Sequence, residues 1–290
     1  MTGLLWLGVA LCLLAAAAAG LSAHGAKRWA DTTRTLARKL EAARLDDKLR
    51  PPPARFDPRE LEGLPAPVQR YFRAALTEGQ PIVAAATIDL AGTFNRSATG
   101  AQWSPFTSRQ RVVTRRPGFL WDAKISMLPG LAVRVVDGYI AGDGLLRAAV
   151  LGLFTVADIR GGGEIARGEL MRFFAEMAWY PTALLPSQGV RWDAVDDRSA
   201  NATLADGPLA LTLLFSFNAA GLIDSVRAEA RGAMVGQKMV MAPWEGRWSD
   251  YQVRGGMTVP STGEAAWLRP EGRKPYFRGS VRSLAYEFSP

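Results

Sequence analysis

Three charged side chains share one face of a predicted helix in the middle of the chain. Glu169, Arg172 and Glu176 follow each other at i, i+3 and i+7, which places them on successive turns. Two carboxylates beside a cation suit acid–base chemistry or the binding of a hard metal ion. The same spacing is also that of a solvated face with an ordinary i,i+4 ion pair. The sequence favours this second interpretation.

A second group of candidate residues lies in a predicted strand near the C-terminus. Trp244 and Trp248 alternate with Glu245 and Arg247, so the tryptophans face one side of the strand and the charged pair the other. The tryptophans are the best candidates for the wall of an apolar cavity, although aromatic side chains also fill ordinary cores. The charged pair would orient a polar headgroup or form surface pairs across strands. Glu264, in the next predicted strand, is expected to face Arg247.

Trp179 and Tyr180 complete the set of candidate ligand-binding residues. They end the central helix just before Pro181, where a flat ring can line a pocket or the core. The candidate ligand-binding residues are therefore Trp179, Tyr180, Trp244, Glu245, Arg247, Trp248, Glu169 and Arg172.

The common catalytic groups are largely missing from the sequence. Cys12 is the only cysteine and His24 the only histidine, and both precede the predicted domain. Their positions exclude a thiolate nucleophile, a serine–histidine mechanism and a zinc–thiolate site within that domain. We therefore assign no catalytic residue, no metal and no cofactor, and expect a binding protein rather than an enzyme.

The chain begins with an apolar stretch. Residues 3–23 carry no formal charge, and as a helix they would extend about 31 Å, the hydrocarbon thickness of a bilayer. This predicts a transmembrane anchor over residues 1–23 and a location at the cell membrane, with a single pass. A cleavable signal peptide is the alternative, since Ala17 and Ala19 satisfy the small-residue rule for cleavage.

Basic residues are concentrated directly after the apolar stretch. Residues 24–55 hold nine Lys or Arg and four acids, so this collar is expected to contact membrane lipid. The flanking charge favours a cytoplasmic domain. The rest of the net charge is spread thinly over the remaining chain, which excludes nucleic acid as a partner.

The remainder of the chain predicts one β-rich domain. We divide the chain into the anchor (1–23), a basic helical stalk with a Pro-rich linker (24–55) and a single domain (56–290). From Ile82 onward apolar residues alternate with polar ones in about ten to twelve short segments bounded by turn residues, which indicates antiparallel strands. One amphipathic helix over 164–180 interrupts them, ended by Pro181. The predicted class is mainly β with α (α+β): a curved antiparallel sheet, or open half-barrel, that encloses this helix.

Four segments resemble the motifs of an uncharacterised family of membrane-anchored bacterial proteins, a domain of unknown function. They are residues 64–71, 168–186, 243–251 and 263–267. This resemblance implies no activity. In its strand–helix–strand pattern alone, the domain also looks like the open half-barrels of bacterial lipoprotein-carrier proteins, which wrap a curved sheet around helices and hold acyl chains. That analogy favours an exported domain, so the side of the membrane stays open.

Three functional hypotheses follow from these observations. The first is a membrane-tethered binding module for a lipid or another apolar, amphiphilic small molecule. The second is a carboxylate-dependent hydrolase, which would place two acidic side chains in a concave, partly buried site. The third is a scaffold that docks a membrane protein through a sheet edge and exposes a large apolar patch.

Overall fold

The computed structural model describes residues 2–45, 53–97, 100–128, 130–235 and 238–289. Residues 46–52, which include the end of the predicted stalk and Pro51 and Pro52 of the linker, lie outside this part of the chain. The described helices are α1 (Thr2–Leu45), α2 (Ala66–Ala75) and α3 (Gly163–Ala175), with short 3-10 helices at Pro58–Leu61, Glu176–Trp179, Pro181–Leu184 and Pro186–Gln188.

Strands dominate the rest of the described residues. In Trp103–Val113 and Leu209–Phe217, for example, side chains alternate between core and surface, which is the pattern of a strand with one buried face. The strands are β1 (Val83–Asn95), β2 (Trp103–Val113), β3 (Gly118–Leu128), β4 (Leu131–Ile140), β5 (Asp143–Val150), β6 (Phe154–Gly161), β7 (Arg191–Asp196), β8 (Ser199–Asp206), β9 (Leu209–Phe217), β10 (Ile223–Val235), β11 (Lys238–Arg254), β12 (Met257–Arg269) and β13 (Gly272–Phe288).

All 13 described strands belong to one antiparallel sheet, ordered β6-β5-β4-β3-β2-β1-β13-β12-β11-β10-β9-β8-β7. Strands β1 to β6 and strands β7 to β13 each pair with their neighbours in sequence, and the two halves join where β1 pairs with β13, with Val83 opposite Phe288. β6 and β7 are the two edges, so the curved sheet does not close. The predicted class is confirmed, with slightly more strands than expected.

α3 crosses the hollow face of this sheet and connects the edge strand β6 to the edge strand β7. The predicted helix over 164–180 is confirmed, although its last turn, Glu176–Trp179, is a 3-10 helix. Its apolar face lies in the main core, because the inner side chains of the sheet need a partner layer. The buried side chains of this face are Leu170, Phe173, Phe174, Met177 and Tyr180.

α1 is attached to the opposite, outer face of the sheet by its second half. The Trp29 indole donates a hydrogen bond to the Asp122 carboxylate (2.8 Å), and Leu36 and Leu40 are buried against β2, β3 and β4. At Gly25 a Cβ atom would lie 2.1 Å from the Leu151 carbonyl oxygen, so only glycine permits this approach. The helix predicted for the stalk therefore lies on the sheet as far as Leu45.

The prediction of a transmembrane anchor over residues 1–23, and with it a single-pass location at the cell membrane, is wrong. Within the described ranges no helix is both long enough and apolar enough to cross a membrane. The apolar stretch is instead the first part of α1, which continues without a break into the half that packs on the sheet. The expected contact of the basic collar with membrane lipid depended on that anchor. Some collar charges are used within the protein, since Arg44 pairs with Glu41 and Glu287.

Replacing the buried ring that fixes α1 tests this arrangement. We expect Trp29→Ala to lower the free energy of unfolding by about 3 kcal/mol, because it removes a buried aromatic side chain and leaves the Asp122 carboxylate without its donor. Denaturant unfolding followed by circular dichroism measures the change. Trp6→Ala is the matched control, since Trp6 lies on the same helix and is 71% exposed. Equal unfolding midpoints for the two variants would contradict the packing.

Candidate functional site

A cavity of about 770 Å³ lies between α3 and the inner face of the sheet. Its walls come from α3, the 3-10 turn that follows it, and strands from both halves of the sheet. A volume of this size is typical of sites for drug-sized or acyl-chain ligands. The cavity is therefore the natural candidate for a functional site.

Tryptophan is the dominant side chain of the cavity wall. Trp244 and Trp248 alternate along β11 and both face inward, as predicted. Trp179 meets Trp248 edge to face, with ring centroids 4.8 Å apart. The tryptophans that line the cavity are Trp103, Trp121, Trp179, Trp244, Trp248 and Trp267.

Two glycines make room for these rings. A Cβ atom on Gly263 of β12 would lie 2.7 Å from the Trp248 ring, and one on Gly246 of β11 would lie 3.1 Å from the Trp244 ring. A glycine beside each ring lets the indole lie close to the backbone of the sheet. The alternation Trp244-Gly246-Trp248 thus builds a flat aromatic surface.

A buried ionic cluster lies beside the aromatic wall, centred on Arg172. Its guanidinium bonds to Glu176 (2.8 Å), to Asp137 on β4 (3.0 Å) and to the side-chain oxygen of Gln110 on β2 (3.2 Å). It also stacks on Trp121 at 4.7 Å. The solvated-face interpretation of this helix face is wrong, because the sheet covers the face that the sequence pattern left to water.

Glu169 lines the same cavity and is 5% exposed. Its Oε2 atom is buried and has no hydrogen-bond partner. Burial, followed by the nearby Asp137 carboxylate, raises the pKa of Glu169 to about 8. Because a charged carboxylate is costly in such surroundings, Glu169 is mostly neutral at pH 7.

Further polar atoms without partners surround the cavity. The indole N–H groups of Trp121, Trp179 and Trp248 are buried and make no hydrogen bond. Oδ1 of Asp137 is likewise buried without a hydrogen-bond partner. Buried polar groups are usually paired, so such a concentration needs an explanation. All four atoms belong to side chains that line the cavity, although the atoms themselves are buried within its wall.

The sequence interpretation missed several charged residues of the cavity, among them Asp137 and Arg231. Asp137 lies opposite Trp121 in the sheet, on the inward face of β4. An acidic residue at a position where the strand pattern calls for an apolar one could have identified it from the sequence. Arg231 was hidden by a β-bulge between Ala228 and Arg231. The bulge inserts one extra residue, and this shift places Arg231 opposite Ala242 and at the cavity.

Three predicted site residues are not part of the cavity lining. Tyr180 is buried in the core, where its hydroxyl donates to the Phe173 carbonyl (3.0 Å). Glu245 and Arg247 lie on the other face of β11 and pair with each other (2.7 Å), which matches the surface-pair alternative. Arg247 does face Glu264 in register, but Glu264 forms its ion pairs with two other arginines. The other five predicted residues (Glu169, Arg172, Trp179, Trp244 and Trp248) line the cavity; a ligand-binding role for them stays a prediction.

A curved, unclosed antiparallel sheet with a helix across its hollow face and a cavity beneath that helix defines a half-barrel protein. The chain belongs to a family of unknown function (DUF6920), whose model matches residues 62–286. The match contains all four motifs that pointed to an uncharacterised family. No curated protein matches the sequence.

Solved structures with a similar course of the chain include two from bacteria. One is a LolA superfamily protein, NE2245 from Nitrosomonas europaea, with 10% identity and a TM-score of 0.40 over 76% of this chain and 93% of that one. The other is a beta-barrel-like protein of the domain of unknown function DUF1849 from Brucella abortus, with 12% identity and a TM-score of 0.22 over 71% and 99%. Similarity this low carries no information on function.

Titration of Glu169 predicts a specific pH dependence of stability. Its pKa in the folded protein is raised to about 8 from an ordinary value of 4.5, so the folded state holds the proton more tightly than the unfolded state. The contribution of Glu169 to stability is therefore full below about pH 4.5 and is lost as the pH rises through about 8. We expect Glu169→Gln to match the wild type in melting temperature at about pH 5 and to exceed it by several degrees at about pH 9.

Thermal unfolding across this pH range measures the effect. Glu164→Gln is the control, since Glu164 lies on the same helix with a side chain 46% exposed, and it should follow the wild-type profile. A melting-temperature difference between Glu169→Gln and the wild type that does not change with pH would contradict the assignment.

Proposed function

We propose that this protein binds an apolar or amphiphilic small molecule, such as a lipid, in the cavity beneath α3. The observation that carries the proposal is the cavity itself, with six tryptophans in its wall and unpartnered buried polar atoms beside them. An apolar body would lie against the indole rings and a polar end would lie at the charged side chains of the lining. This combination of apolar walls and a few convergent polar groups is typical of ligand sites.

The shape of the wall supports a binding role over simple core packing. Rings that only fill a core interdigitate until little space remains. Here the indoles are held by neighbours instead: Trp267 stacks on Tyr276 with ring centroids 6.0 Å apart, and the Trp244 indole donates to the Tyr276 hydroxyl (2.9 Å). Rings fixed in this way keep the cavity open.

Filling the cavity from α3 tests the proposal. Gly168 lines the cavity, and a Cβ atom there would meet only the Arg231 side chain, at 4.0 Å. We expect Gly168→Leu to fold normally, because leucine favours the helix, and to weaken binding of the fluorescent apolar probe N-phenylnaphthylamine by about tenfold or more. Probe fluorescence and its displacement by lipids measure the affinity.

The matched control is Gly162→Leu, which lies just before α3, outside the cavity lining, with open space around a Cβ atom. It should bind the probe like the wild type. Solvent extraction of the purified protein, followed by mass spectrometry, identifies any lipid it carries. The proposal fails if the wild type neither carries nor competes for any acyl-chain compound, or if Gly168→Leu binds as well as the wild type.

A carboxylate-dependent hydrolase is the second candidate, and Glu169 is the observation that favours it. A neutral carboxyl group with a raised pKa lies in one cavity with Asp137 and Glu176, both ion-paired with Arg172. Carboxyl groups in such different surroundings are the usual basis of a general acid with a partner base. In contrast, Asp250 is exposed, and Glu245 and Glu264 are engaged in ion pairs with arginines.

Kinetics separate this candidate from a binding protein. If the cavity hydrolyses a substrate, Glu169→Gln should lower the rate by about a hundredfold or more while leaving probe binding intact. A panel of para-nitrophenyl glycosides and esters measures the rate. Absence of turnover by the wild type on the whole panel would remove the candidate.

A further inference from the structure

Arg231 lines the cavity, and its charge has no carboxylate partner among the described residues. Arg231 stacks on Trp244 at 5.0 Å and on Trp267 at 6.0 Å, and its guanidinium reaches the Tyr276 hydroxyl at 3.5 Å. In the part of the chain that the structure describes, it forms no ion pair. Arg172, by contrast, is fully occupied by Asp137 and Glu176. Arg231 is therefore a cation available to a ligand directly at the tryptophan wall.

The polar atoms around the cavity are mainly donors. Three indole N–H groups, from Trp121, Trp179 and Trp248, are buried without acceptors. Burial keeps the pKa of Glu169 near 8, so at pH 7 this carboxyl adds a fourth donor rather than a negative charge. Asp137 already pairs with Arg172. Donors therefore outnumber acceptors among the unpartnered polar atoms of these lining side chains, where Oδ1 of Asp137 is the acceptor.

Cations also surround the cavity at the ends of β12 and β13. Arg269 and Lys274 line it, and neither forms an ion pair with any described residue. Glu264, an acid of the same lining, is already paired with two arginines of β13. The excess of unpaired positive charge continues from Arg231 toward these two residues.

We infer that the cavity selects amphiphiles with an anionic headgroup, a carboxylate or a phosphate, which pairs with Arg231 while the apolar chain lies on the tryptophan wall. The inference rests on the proposed binding function and specifies its ligand class. A guanidinium held between aromatic rings is well oriented for such an anion, because its position costs no further ordering on binding.

Ligands with one tail and different heads test the inference. We propose to measure the affinity of the full-length protein for decanoate, decyl phosphate, decanol and decyltrimethylammonium by calorimetry and tryptophan fluorescence. Either anion should bind about tenfold or more tightly than decanol, and the better of the two identifies the headgroup. Inorganic phosphate alone should not bind, since the tail supplies the apolar contact.

Substitutions assign the preference to Arg231. Arg231→Gln should reduce the anion-over-alcohol ratio to about one, and Arg231→Lys should retain part of it, because the charge stays but the planar group is lost. Arg109→Gln is the control, as Arg109 pairs with Asp89 outside the cavity; its ratio should equal that of the wild type. Should Arg231→Gln fail to fold, Arg231→Lys and the pH series below decide the question.

The pH series uses the groups that face Glu169. These are Asp137 on β4, Arg172 and Glu176 at α3 and its following turn, and Arg231 on β10. Decanoate is ionised throughout the range from about pH 7 to about pH 9.5, so only the protein changes. Ionisation of Glu169 should weaken decanoate binding severalfold above about pH 8, and Glu169→Gln should remove this decline.

The outcomes separate the two proposals. Equal binding of decanoate and decanol by the wild type, with both lost in Gly168→Leu, would overturn the anion preference and leave the binding function standing. Tightest binding of decyltrimethylammonium would also overturn it, in favour of the carboxyl groups. If no compound of the series binds, both proposals fail.

Discussion

One guanidinium, that of Arg172, fastens the central helix to the sheet. It connects α3 with β2 and β4 through Gln110 and Asp137, and with the next helical turn through Glu176. A largely buried charge is stable only when it is paired and hydrogen-bonded, as this one is. The bonds therefore fix where α3 lies over the hollow face, and the cavity is the space that remains between α3 and the rest of that face.

The cavity stays open because its wall is made of flat, mutually supported rings. Small aliphatic side chains can rotate into a void, whereas an indole packed edge to face on another ring cannot do so without losing that contact. Trp179 against Trp248 and Trp267 against Tyr276 are such pairs. The glycines beside the rings have the same effect, because a larger side chain at these positions would push the rings into the cavity.

Local periodicity explains most of what the sequence predicted correctly. The strands and the helix over 164–180 follow from alternating and helical apolar spacing, and the inward orientation of Trp244 and Trp248 follows from the same rule. Whether a charged helix face is buried or exposed does not follow from local spacing, because it depends on which element covers that face. Glu169 was placed on the correct helix face, but only the sheet around it determines its protonation.

Other features depend on long-range packing or on irregular backbone. The sequence predicted a helical stalk, but not that Trp29, Leu36 and Leu40 would hold it on the outer face of the sheet. An apolar run alone also led to the wrong expectation of a membrane anchor. The inward position of Arg231 depends on a single β-bulge, which no alternation pattern reveals.

The central pairing of β1 with β13 has a consequence for biosynthesis. Of the described strands, β1 leaves the ribosome first and β13 last, yet they are neighbours in the sheet, with Ile88 opposite Leu284. The edge of β1 that faces β13 therefore remains unpaired until β13 has been made, and loop closure over so many residues slows folding. Newly made chains spend this interval with an exposed, apolar strand edge, which is the state that chaperones recognise and that aggregation exploits.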